Sequence, residues 1–201
     1  DRNIPTQTSS FGTGRTAALL TTPVLHTGQT SQVECSLGTY QPLTGQSACN
    51  DADAGSFVNL TAQTTQTPCG IGTYQPLSGQ SSCDDADAGN YVDQINQSSQ
   101  IPCGTGTYQP STGQSSCISA SPGHYVDQTG EASQTACSVG YYNPNSGSQD
   151  SSDCQDAMYG YFVNQTGQAN QTPCGIGTYQ PYLGQSSCFD SDAGSYVNQT
   201  A

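Results

Sequence analysis

The chain has 201 residues, ten cysteines, no lysine, two arginines and a formal charge of −13. Only 32% of its residues are hydrophobic, with Gly, Ser, Thr, Gln and Asn prominent, so it cannot build one large core and must be either disordered or stapled in small pieces. The acidic balance argues against nucleic acid as a partner, and no apolar run approaches the length of a membrane span.

In chain order, residues 1–17 match nothing else in the sequence. They include "GTGRTA" at 12–17, which imitates a dinucleotide fingerprint but has no βαβ unit around it, and is read as a decoy. Asp1 is read as a processed or cloned N-terminus, since a secreted precursor would begin with a signal peptide. Residues 18–34 form a degenerate half-repeat. There Ala18, Val24, Thr27, Gly28 and Gln32 fall in register with Ala120, Val126, Thr129, Gly130 and Gln134, and Thr21 stands in place of a glycine.

From Cys35 onward the cysteines are separated alternately by 14 and 20 residues, except for a step of 17 between Cys137 and Cys154. The period is therefore 34 residues, with three extra residues in the fourth copy, placed within "NPNSGSQDSSD". A shorter period lies inside: a Gly-x-aromatic step at Gly38/Tyr40, Gly55/Phe57 and Gly72/Tyr74 recurs every 17 residues, or 20 across the insertion, as far as Gly194/Tyr196. Each repeat thus consists of two 17-residue units, A (with GTYQP) and B (with DAGxYV). The domain reading is 35–68, 69–102, 103–136, 137–173 (with the insertion) and 174–201 (incomplete) for the five repeats. The expected fold is a small disulfide-rich repeat array, an elongated rod of short β-hairpins and loops with little or no helix. A positive-φ glycine would turn each hairpin and the aromatic ring would be its miniature core.

The two units differ in an informative way. Where A units have cysteines, B units have Ala52, Ala86, Ala120, Ala157 or Ser191 at the first position and Gln66, Gln100, Gln134 or Gln171 at the second. Both cysteines vanish together, as partners in one bond would. This phase favours Cys35–Cys49, Cys69–Cys83, Cys103–Cys117, Cys137–Cys154 and Cys174–Cys188, while the rival ladder beginning Cys49–Cys69 strands Cys35 and leaves Cys188 without a partner. Each bridge would contribute about 3 kcal/mol through loop closure in the unfolded chain, and disulfides place the protein outside the reducing cytosol, secreted or on a cell surface. The B-unit glutamine is read as an amide that bonds backbone left open by the missing bridge, with a solvated side chain as the alternative.

The CxxGTY…C units at Cys35, Cys69, Cys103 and Cys174 resemble the cysteine-rich repeats of ephrin-receptor-like and tumour-necrosis-factor-receptor-like extracellular modules. The resemblance covers residues 35–201. It implies an elongated, disulfide-held array of hairpins in which the first and second cysteines of a unit are bonded. The B units depart from that pattern, with "DADAG" or "SASPG" where those families have "CPxG".

Candidate chemistry is sparse. The carboxylate pairs Asp51/Asp53, Asp85/Asp87 and Asp190/Asp192 precede glycines and are weak calcium candidates; the ligand set is incomplete, so a solvated acidic turn is the preferred reading. Five sequons, at Asn59, Asn96, Asn164, Asn170 and Asn198, are candidate sites for N-linked glycans. His26 and His124 have no partnering pattern, and with every cysteine committed to a bridge no nucleophilic or acid–base constellation is visible. The expectation is a non-enzyme without cofactors apart from covalent glycans. It would be a structural subunit of an extracellular fibre, filament or stalk that self-associates, head to tail, as residues 1–17 complete the unfinished last unit of a neighbour. The alternative is a ligand-binding or adhesive ectodomain fragment whose next cysteine would lie beyond Ala201.

Overall fold

A computed structural model describes residues 31–200. Residues 34–201 form one compact unit, which is described below. The proposed donor segment 1–17, the decoy at 12–17, His26 and residues 18–30 of the half-repeat 18–34 lie outside the described residues.

Residues from Glu34 onward form a series of two-stranded antiparallel hairpins, each strand only two residues long. In the first A unit Thr39–Tyr40 pairs with Asn50–Asp51, and in the first B unit Ser56–Phe57 pairs with Thr67–Pro68. The register repeats down the array: the aromatic Tyr74, Tyr91 and Tyr108 sit opposite Asp84, Ile101 and Ile118. A lone hairpin of this size is marginal at best in water. These hairpins persist because each is bonded to the next.

The bonding between units is made by the backbone and is periodic. At the first junction Gly38 N–H donates to Val58 O (2.8 Å), Gln41 N–H to Gln63 O (3.0 Å), Ala52 N–H to Gly38 O (2.8 Å) and Ala62 N–H to Cys35 O (2.9 Å). One unit on, Gly55, Val58, Cys69 and Gly79 donate to Gln75, Gln80, Gly55 and Ala52 in the same register. The array is thus a one-dimensional stack whose polar backbone groups are consumed by neighbours. The Gly-x-aromatic glycine is obligatory for two reasons. Gly38 has φ +80, and a Cβ there would overlap the carbonyl oxygen of Gly79, two units along.

The core differs from the expected one. The rings of the Gly-x-aromatic steps from Tyr40 to Phe162 are only half-buried, and those of Tyr179 and Tyr196 are exposed. The buried positions are instead three residues before and three after each unit glycine from Gly55 to Gly177. B units bury Ala52/Val58, Ala86/Val92, Ala120/Val126 and Ala157/Val163; A units bury Cys69/Gln75, Cys103/Gln109, Cys137/Asn143 and Cys174/Gln180. The ring lies across the outside of its hairpin, because the residue after it turns inward against the next unit. A two-residue strand cannot bury both faces.

The buried amides are satisfied within their own hairpin loops. Gln75 Nε2 donates to Ser82 O (2.8 Å) and its Oε1 accepts Leu77 N–H (3.1 Å); Gln109 and Gln180 repeat the pattern. Among the described residues no buried side-chain polar atom lacks a partner, as burial of an amide requires. The fourth A unit is the exception that fits. Its extra residues form a 3-10 turn at Ser151–Asp153 capped by Asp150, and there the shorter Asn143 donates to Ser148 Oγ (2.7 Å) instead.

Candidate functional site

The chemistry-bearing residues are distributed along the array. Five disulfides, Cys35–Cys49, Cys69–Cys83, Cys103–Cys117, Cys137–Cys154 and Cys174–Cys188, each close one A unit, with Cα–Cα distances of 5.7–5.9 Å. No described cysteine is free.

In B units a glutamine clip stands in for the bridge. Gln66 Oε1 accepts Asp53 N–H at 2.6 Å while its Nε2 donates to Asp53 Oδ2 at 2.6 Å. Gln100 grips Asp87 in the same two-bond manner. Gln134 accepts from Ser121 N–H and Gln171 from Met158 N–H, each at 2.7 Å and with the amide oxygen alone engaged. The amide therefore does bond the backbone beside the missing cysteine.

The acidic turns are divided between partners. Asp53 and Asp87 are held by the clip, whereas a Cβ on Gly79 or Gly113 would lie 3.5 Å from Asp51 Cγ or Asp85 Cγ, in the following A unit. Asp190 pairs with Thr178 in a hairpin, and Asp192 O accepts Ser195 N–H. Among the described residues no group of three or more His, Cys, Asp or Glu side chains converges. His124 Nδ1 lies 3.2 Å from Pro122 O, within its own turn. Burial, followed by the charges of Asp87 and Asp84, raises the pKa of Tyr74. A half-buried phenol shifted further from neutrality is suited to packing, not proton transfer.

All five sequon asparagines are exposed, but their backbones differ. Asn59 and Asn164 directly follow the buried Val58 and Val163. Asn96 adopts φ +63 at a turn position, and its Oδ1 accepts the Ser56 hydroxyl at 2.9 Å.

Shallow clefts occur among the described residues. One of 340 Å³ is lined by Tyr125, Ala136, Cys137, Tyr141 and Cys154 beside the insertion, and one of 250 Å³ by Tyr179, Gln180, Pro181 and Val197. Both are at or below the lower end of the range for small-molecule sites. The outer surface carries regularly placed aliphatics, Leu37, Ile71, Val139 and Ile176, each just before an A-unit glycine. It also carries a ring cluster in the last A unit, where Phe189 lies 6.0 Å from Tyr179 and 6.5 Å, edge-on, from Tyr182. Among the described residues no helix is long and apolar enough to cross a membrane.

The sequence reading missed the inward-facing amides, buried at Gln75, Gln109, Asn143 and Gln180. Gln41, Gln75, Gln109, Asn143 and Gln180 recur in the register that holds valine in B units; that alternation was the available signal, masked by a Gln-rich background.

No curated protein matches the chain. Residues 89–137, about a quarter of the chain, do match a family model, and they comprise the Cys103–Cys117 unit with the B-unit hairpins on either side. The family is described as tyrosine-protein kinase ephrin type A/B receptor-like, so over these residues the chain is similar to a receptor-like, extracellular cysteine-rich module.

Proposed function

We propose that the array is a rod-like structural segment of an extracellular protein, which holds whatever it bears at a set distance from its anchor. The observation that carries this reading is the recurrence of one set of backbone hydrogen bonds at successive junctions. Such a stack has length and stiffness as its main outputs. The bridges suit it to an oxidising exterior. Continuation into a fibre is the finer form of the same reading: a junction built from backbone groups in a fixed register would accept a unit from a second copy as readily as one from its own chain.

The test is solution scattering of the oxidised chain over a concentration series, beside a variant lacking residues 69–102. That deletion removes one whole repeat and keeps the phase. The expected result is a constant cross-section with the maximum dimension shortened by one repeat. An unchanged dimension, or a globular profile for either protein, overturns the reading. The fibre form requires growth with concentration, lost on deletion of residues 1–17 while the hairpins remain folded.

A second reading, a ligand-binding or adhesive ectodomain piece, is favoured by the receptor-like match at residues 89–137. It requires a rod that stays monomeric at all concentrations.

A further inference from the structure

The sequons divide into two kinds by the backbone that carries them. In every B unit from Ala52 onward the residue four after the glycine is Asn59, Asp93, Asp127, Asn164 or Asn198, and each is exposed. The residue before it is Val58, Val92, Val126 or Val163 in the first four copies, at most 2% exposed. One step along an extended chain reverses the side-chain direction, so a valine anchored inward drives its successor outward. The sequon hydroxyls Thr61 and Thr166 are exposed as well. Where the position is not a sequon asparagine it holds a carboxylate, another group that stays in water.

The other two sequons are by-products of local structure. Asn96 occupies the turn position that is Gly79, Gly113 or Gly130 in neighbouring units, and Asn is among the few residues that tolerate its φ of +63. Its N–H donates to Cys69 O (2.9 Å), its Oδ1 accepts Ser56 Oγ, and its carbonyl fills the space against Gly55. Asn170 precedes Gln171, which clips Met158, and the sequon hydroxyl belongs to Thr172, a hairpin strand residue opposite Phe162.

We propose that the B-unit position four residues after the glycine is the glycan-bearing line of the array, with N-linked oligosaccharide on Asn59 and Asn164 and, by the same register, on Asn198, while Asn96 and Asn170 stay bare. The donor is an oligosaccharide on a lipid pyrophosphate carrier. The bond from the sugar C1 to the pyrophosphate oxygen breaks, the C1–Nδ2 bond forms, and one Nδ2 proton is released. The inference rests on the extracellular reading.

The test places the full chain behind a cleavable signal sequence in glycosylating eukaryotic cells. Sequon occupancy is mapped on material from both cells and medium by enzymatic deglycosylation in heavy-oxygen water. Occupancy at Asn59 and Asn164 should exceed that at Asn96 and Asn170 severalfold. Asn59→Asp and Asn164→Asp, which copy Asp93 and Asp127 and so keep the fold, should each remove one glycan increment, and N96Q none. Bare Asn59 and Asn164, or equal occupancy at Asn96, overturns the inference. Free thiols in the recovered protein, whatever the occupancy, would overturn the extracellular reading instead.

Discussion

The Gln66 side chain closes on Asp53 with two hydrogen bonds of 2.6 Å, one accepted by its Oε1 from the backbone N–H and one donated by its Nε2 to the carboxylate. It does so at the register position that Cys49 occupies in the unit before. A hydrogen-bonded clip and a covalent bridge thus alternate along one stack, and both tie the base of a hairpin to the far end of its loop.

If the two ties are geometric equivalents, the double substitution Ala52→Cys, Gln66→Cys should oxidise to a sixth disulfide. The gain in stability expected for a loop of this length is about 3 kcal/mol. Non-reducing peptide mapping reads the bond and urea denaturation the gain; two free thiols in the folded variant would refute the equivalence.

The clips themselves are unequal. Gln66 makes two bonds, whereas the Gln171 amide engages only Met158 N–H. Gln66→Ala should cost about 1 kcal/mol, as a charge-assisted bond is lost with a neutral one, and Gln171→Ala less. Urea midpoints compare them; a larger loss at Gln171 would contradict the assignment.

The valine column, and not the rings, should dominate packing. Val126 is 1% exposed, so Val126→Ala is expected to cost about 1–3 kcal/mol by lost burial and cavity formation. Hydrogen exchange should show the loss in both adjoining units, since Val126 N–H donates to Ser148 O and Val126 O accepts from Gly106. Protection lost in a single unit would argue against stacking as the source of stability.

Two glycines in one unit make a matched control. Gly72 has φ +82, and a Cβ there would overlap Gly113 O; a Cβ added at Gly70 would meet nothing within 4 Å, and the backbone there has no positive φ. Gly72→Ala should cost more than about 2 kcal/mol from backbone strain and the clash together, and Gly70→Ala should be near neutral or slightly stabilising. Thermal denaturation of the two variants distinguishes them.

Asp150 caps the inserted turn. The backbone N–H of Ser152, donating to its carboxylate at 2.7 Å, holds its pKa below the ordinary aspartate value, helped by side-chain bonds from Ser152 and Ser151 and opposed by desolvation. A depressed folded pKa gives stabilisation that is present above the unfolded value, near 4, and lost as pH falls through the folded one. Carboxyl NMR titration should find Asp150 still ionised where an ordinary aspartate has protonated. Asp150→Ala should loosen the turn at neutral pH and make little difference in strong acid.

Much of the architecture was legible in the spacing of glycines, aromatics and cysteines, because each 17-residue unit is a local hairpin whose turn chemistry is written in its own residues. The insertion was legible for the same reason: an extra three residues between Cys137 and Cys154 must form their own local structure, here the turn at Ser151–Asp153. The identity of the core was not. Nothing within one unit says whether Tyr74 or Gln75 is buried, and hydropathy favours the ring. Only stacking decides it. Gln75 N–H donates to Gln97 O in the next unit while Gln75 O accepts from Gly55 in the previous one, so the backbone at that residue is enclosed on both sides. Its side chain is drawn inside with it, and the ring beside it is left half in solvent. Periodicity determined which units repeat; the hydrogen bonds between units decided which side chains face inward, because burial in so thin a fold is a property of neighbours and not of any one segment.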